Sequence, residues 1–191
     1  TLSNNLTGAG SGTYTFTGGT SKALLSIRIA PSVDNGIPAA FGARELINRM
    51  QLQTKALDIS LLGASGNVLV QAVLNGNLYN LSSTVGTAWT NAIKNVPLTP
   101  NSSLAQIADY AAGNYLIQGG EVTGGFFTSS TASIDLSSVR DIGNAVLGGG
   151  TNYSNSQVYP DGPDTITIVV TNVGTAPQSV LGRISWTEAQ A

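Results

Sequence analysis

The chain has no cysteine and no histidine. Without Cys there is no disulfide, no thiol nucleophile and no thiolate metal ligand. Without His the chain lacks the usual acid–base group near neutral pH and the commonest metal-binding side chain. Charge is scarce as well: 8 Lys and Arg with 10 Asp and Glu make up 9% of 191 residues, against about 25% in an ordinary domain. The net charge is −2 and there is no basic run, so nothing recommends nucleic acid as a partner. No apolar stretch approaches the roughly 20 residues of a membrane-spanning helix, so a membrane is not expected either. Catalysis would have to rest on carboxylates, a few basic groups and hydroxyls. The chain is therefore read as non-enzymatic, with no cofactor.

What remains is a surface of Ser, Thr, Asn, Gln and Gly. Such a surface suits a protein that lives outside the cytosol or is packed into an assembly, where subunit contacts replace solvating charge. The length allows a full single-domain core. Thr1 to Ser21 carries no charge and is mostly Gly, Ser, Thr and Asn, the composition of a flexible or extended arm. Within it Tyr14 and Phe16 sit two apart and would face one way in a strand. Residues 22–191 are read as one domain.

Alternation organises that domain. Between Tyr159 and Trp186, Ile166, Ile168 and Val170 alternate with Thr165, Thr167 and Val169; later Val180, Gly182, Ile184 and Trp186 share a face against Ser179, Leu181, Arg183 and Ser185. Period two with β-branched residues predicts half-buried strands. With Gly174 and Pro177 between them, the two strands form a long hairpin or a crossing from one sheet to another. Ala23 to Ala30 alternates in the same way. From 46 to 55, Met50, Leu52, Thr54 and Ala56 oppose Arg49, Gln51, Gln53 and Lys55, and Leu57, Ile59 and Leu61 carry the strand on. Asn67 to Leu74 reads as a strand buried on both faces. Asn75-Gly76 reads as a two-residue hairpin turn, with 77–81 returning along that strand. Glu121 to Thr128 is a strand whose glycines imply a bulge or a close backbone approach. Two short helices are expected, one at 104–112 capped by Ser103 and one at 140–147 stopped by Gly148 to Gly150. Together these predict an all-β fold, an antiparallel sandwich of jelly-roll type with one or two short helices.

No motif carries chemistry on its own. Asp135, Arg140 and Asp141 are the densest charge cluster; they read as a salt-bridged loop and helix start, or as an acid–base pair around a sugar. Asp161 and Asp164 flank Gly162-Pro163 and offer oxygens to calcium. They lack a third patterned ligand, and an Asx-turn explains them equally well. Tyr110, Tyr115, Tyr153 and Tyr159 could line a sugar-stacking platform. From Ile59 to Ile93 there is no charged residue, and Trp89 lies in that run, as a core aromatic or a subunit contact. As interface residues the sequence offers Tyr14, Phe16, Trp89, Arg140 and Asp141.

Several ordered blocks carry a resemblance. They are Gly42-Ala-Arg-Glu-Leu-Ile-Asn-Arg-Met-Gln-Leu-Gln, Glu121-Val-Thr-Gly-Gly-Phe-Phe, the run from Asp135 through Arg140-Asp141 to Gly150, Tyr159-Pro-Asp-Gly-Pro-Asp, and Ser185-Trp-Thr-Glu-Ala-Gln-Ala. Over about Gly42 to Ala191 the chain resembles virion structural proteins of marine tailed phages and related aquatic viruses. The resemblance implies location in the virion and no catalytic residues; the arm lies outside it. The expectation is a subunit that builds or decorates the particle as capsid, head decoration or tail and fibre component. It would work as a homo-oligomer, for instance a trimer, with other virion proteins as partners. The alternative is a carbohydrate- or receptor-binding module of a fibre, with a host glycan as ligand.

Overall fold

Strands need partners for their backbone and a covered face for their apolar side chains. The structure, a computed structural model, describes residues 4–9, 14–29, 51–62, 66–80, 93–95, 105–110, 115–135, 146–147, 152–153, 156–157 and 164–189. In chain order its strands are β1 (Asn4–Ala9), β2 (Tyr14–Phe16), β3 (Ser21–Ile29), β4 (Gln51–Leu62), β5 (Val68–Leu74), β6 (Asn77–Asn80), β7 (Ile93–Asn95) and β8 (Ala105–Asp109). They continue as β9 (Tyr115–Gln118), β10 (Glu121–Thr128), β11 (Ala132–Asp135), β12 (Val146–Leu147), β13 (Asn152–Tyr153), β14 (Ser156–Gln157), β15 (Thr165–Asn172) and β16 (Gln178–Ala189). No helix occurs among the described residues.

Two antiparallel sheets face each other. The first runs β1-β16-β4-β11, with β2 also on β16 and β12 also on β4. The second runs β10-β5-β15-β3-β8-β7. β15 lies between β3 and β5, so a late segment returns between two early strands, as in double-sheet jelly rolls. β15 and β16 are joined by the short turn after Asn172 yet belong to different sheets, so the open choice between hairpin and crossing resolves as a crossing. Asn172, fully buried, holds the corner. Its Nδ2 donates to Phe16 O at 2.9 Å and Ala176 O at 2.8 Å, and its Oδ1 accepts from Gly174 N at 2.9 Å.

The core lies between the sheets. β16 contributes Val180, Ile184 and Trp186; β4 contributes Leu52, Leu57 and Ile59; the opposite sheet contributes Leu24, Leu25, Ile27, Val68, Val70, Ala72, Ile166, Ile168 and Val170. Two bulges tune this face. In β4, Ala56 pairs with Ser185 and Thr54 with Trp186, which leaves Lys55 as the extra residue. That explains why the sequence alternation changes phase between Ala56 and Leu57. In β3, Leu25 pairs with Ile168 and Ala23 with Val169, so Leu24 is the extra residue. Leu24 and Leu25 are both buried, and Leu24 lies over Gly182 of the facing sheet. A Cβ at Gly182 would overlap Leu24 Cδ2 and come within 3.2 Å of Leu24 Cγ. A bulged leucine of one sheet thus fills the gap in the apolar face of the other.

Three expectations are corrected. Residues 105–109 are strand β8 and not helix, because β3 presents an open edge and β8 pairs along it from Leu25↔Asp109 to Ile29↔Ala105. A run such as Ala-Gln-Ile-Ala-Asp fits either period, and tertiary pairing decides. Val146 and Leu147, the end of the helix expected at 140–147, likewise pair with Gln53 and Leu52 of β4; residues 140–145 lie outside the described residues. Asn75-Gly76 does form a turn, with Asn75 at φ 53, but β6 does not return along β5. It pairs with β9 from Asn77↔Gln118 to Asn80↔Tyr115, while β5 pairs with β10 starting at Leu74↔Glu121. These registers are continuous, so β5–β6 and β9–β10 make one long ribbon bent at residues 75–76 and 119–120. Gly119 and Gly120 have φ of 70 and 80. A Cβ at Gly120 would lie 2.7 Å from Gly76 Cα, so the bend requires glycine there.

The Leu24–Gly182 contact is checked by a double-mutant cycle in urea. Leu24→Ala leaves a cavity and should cost about 2–5 kcal/mol. Gly182→Ala overpacks the same spot and should cost roughly 1–3 kcal/mol. The double variant should lose clearly less than the sum, because the new methyl occupies space the leucine has vacated.

Candidate interaction surface

With the apolar faces spent between the sheets, the outer surfaces and the edges are left to meet other molecules. The outer face of the first sheet is a field of small polar side chains. Thr15 and Ser179 hydroxyls meet at 3.1 Å across β2 and β16, Ser60 and Thr131 at 3.1 Å, and Ser133 donates to Asp58 Oδ1. Lys55 Nζ donates to Gln53 Oε1 at 2.7 Å. Hydroxyl pairs here do what ion pairs do in a more charged domain.

The outer face of the second sheet is covered in part. A Cβ at Gly76 would overlap Ile117 Cδ1 and lie 3.2 Å from Val73 Cγ1, so the bent ribbon carries β9 over this face near Val73. Beneath lies a buried chain of hydroxyls. Tyr110 OH donates to Ser26 Oγ at 2.9 Å, and Ser26 Oγ meets Thr167 Oγ1 at 2.6 Å. Arg28 is on the same face; burial pushes its guanidinium below the ordinary value, and Tyr110 acts in the opposite direction. The guanidinium remains charged at any physiological pH.

The edges differ. β7 closes one side of the second sheet and carries Lys94. β10 closes the other and has one neighbour, β5, among the described residues. Its sequence, Glu-Val-Thr-Gly-Gly-Phe-Phe-Thr, has no Lys, Arg or Pro. Two of its side chains are the most exposed large apolar groups among the described residues: Phe127 at 70% and Val122 at 56%. Phe126 turns the other way and packs against the core. The expected bulge is present, between Val122 and Gly124. A Cβ at Gly125 would lie 2.8 Å from Val70 O, so the expected close backbone approach is there too. An eight-residue strand whose outer ladder has no partner among the described residues, with protruding apolar groups, is a site for strand addition.

The residues named from sequence scatter. Phe16 is fully buried inside its own chain. Tyr14 lies in β2 opposite Val180. Trp89, Arg140, Asp141 and Asp161 fall outside the described residues. Asp164 accepts from Asn75 Nδ2 at 2.8 Å, and Asn75 Oδ1 accepts from Thr165 N at 2.8 Å; this ties the ribbon bend to the start of β15. No metal-holding cluster of acidic residues occurs among the described residues. The proposed platform of tyrosines loses Tyr110, which is 1% exposed and hydrogen-bonded inward. Tyr115 lies in β9 and Tyr153 in β13, in separate two-stranded pairs. Sequence reasoning found β10 as a strand but not as an edge, since edge position depends on which distant strand takes the last place in a sheet.

No protein-family model matches the chain, and no curated protein matches it. The resemblance to phage virion proteins has no counterpart in either comparison. Among solved structures the chain is similar to one in the structure of infectious bursal disease virus Gx strain, with 14% identity and a TM-score of 0.31. The match covers 100% of this chain and 32% of that one, so the chain spans about a third of its length.

Two substitutions check the buried groups. Phe16→Ala should cost about 3–5 kcal/mol in denaturant unfolding, as for other buried aromatics. Tyr110→Phe should cost roughly 0.5–1.5 kcal/mol, because Ser26 keeps Thr167 as a partner.

Proposed function

We propose that the chain is a non-enzymatic structural subunit of a virus particle, which builds or decorates it through contacts between β-sandwiches. The observation that carries the reading is the β10 edge, open among the described residues, with Phe127 and Val122 exposed, on a chain with 9% charged residues. Such an edge in a soluble monomer invites uncontrolled pairing. In an assembly it is an ordinary contact. The virion in particular is supported by the ordered sequence blocks between Gly42 and Ala191. Against catalysis stand the missing His and Cys and carboxylates without patterned partners.

Sedimentation of the full chain from micromolar to millimolar concentration tests the reading. A closed oligomer, or a mass that grows with concentration, is the expected result. A monomer throughout that range, together with turnover on a panel of cell-wall and capsule polysaccharides, would replace it with an enzyme.

A further inference from the structure

The β10 edge is self-complementary. The bulge leaves Thr123 out of the register with β5, its Oγ1 donating instead to Ala72 O at 3.3 Å; Val122 pairs with Val73 and Phe127 with Leu69. Val73 and Leu69 are four residues apart on an unbulged run of β5, so Val122 and Phe127 face the same side, away from the core. Without the bulge their odd spacing would put them on opposite faces. Glu121 is the only charge on the strand and sits at its start; Thr128 is at its end.

We propose that β10 pairs antiparallel with β10 of a second copy of this chain, about a twofold axis through Gly125. This rests on the assembly reading above and names its contact. In that register Val122 of each copy lies opposite Phe127 of the other, Gly124 opposite Phe126, and Gly125 opposite itself. On the outer face two Val–Phe pairs then flank a Gly–Gly pair, and aromatic with β-branched is a favourable cross-strand combination. The rings also shield the bare glycine backbone. Each Glu121 lies opposite Thr128 of the other copy. The two carboxylates are then roughly 20 Å apart at strand rise, beyond the screening length of about 8 Å in physiological salt. Parallel pairing would bring the two Glu121 side by side. The six-stranded sheets that carry β10 in the two copies become one across the axis, and the ladder of β10 that has no partner among the described residues is satisfied. A twofold contact uses one patch twice, which is what a self-complementary strand provides. Strand pairing over eight residues buries less than the ~1,000 Å² of a stable interface. The contact is therefore weak between free subunits and becomes firm where other contacts hold the copies together.

Cysteine chemistry tests the register, because the native chain has no thiol. Val122→Cys and Phe127→Cys are made separately, on side chains exposed enough to leave the fold intact, as circular dichroism and melting temperature verify. Each is oxidised with copper phenanthroline at high protein concentration, alone and as an equimolar mixture. The expected result is a disulfide dimer in the mixture, at least several-fold above either variant alone. Phe127→Lys should shift the concentration for self-association upward by tenfold or more in sedimentation. If the chain self-associates but Phe127→Lys has no effect and the mixture does not cross-link, the pairing is wrong and the assembly reading stands. If the native chain stays monomeric to millimolar concentration and no mixture cross-links, both fall.

Discussion

The fit of Leu24 over Gly182 fixes how the two sheets lie on one another. Each sheet alone is a set of strands with one apolar face, and many relative placements of two such faces would bury similar area. One side chain that fills one vacancy removes that freedom. Leu24 reaches the vacancy because a bulge in β3 adds it to the inner face beside Leu25. The vacancy exists because Gly182 interrupts Val180, Ile184 and Trp186 on β16. The crossing from β15 to β16, held at its corner by Asn172, joins the two sheets in the placement this match selects.

Outside the core the protein economises on charge. Three pairs that link segments on the outer faces are hydroxyl to hydroxyl: Thr15 with Ser179, Ser60 with Thr131, Ser21 with Thr171. Such pairs tie strands together without the salt sensitivity of ion pairs. They also leave a surface with little electrostatic repulsion between copies, so close packing of like subunits meets no field to overcome.

Much of this was legible in the sequence. The alternation around Ile166 and Ile184 marked the two strands of the crossing, whereas along β4 Leu57, Ile59 and Leu61 read as a continuation and the bulge at Lys55 was not foreseen. The glycines of Glu121–Thr128 signalled the irregularity of β10. What could not be read was which strands are neighbours. Asn75-Gly76 shows a turn by its residue types, yet its partner strand lies beyond residue 114, and no local pattern names it. β8 was legible as an apolar segment but not as extended, because the deciding factor is the open side of β3, about 80 residues earlier in sequence. The exposure of Phe127 follows from the same blindness: Phe126 and Phe127 are indistinguishable in composition, and the sheet edge assigns one to the core and the other to solvent.

The crossing has a consequence for how the protein is made. β15 is interior to one sheet and β16 to the other, and both follow the other described strands in the sequence. While residues 165–189 are still inside the ribosome, β3 has no bridge to β5 and β4 has no link to β1 and β2. Neither sheet exists as a unit until residues 165–189 have emerged. Closure of both sheets is then one event and not two. The order of the strands thus delays the sandwich, and any contact that depends on it, until β15 and β16 are in place.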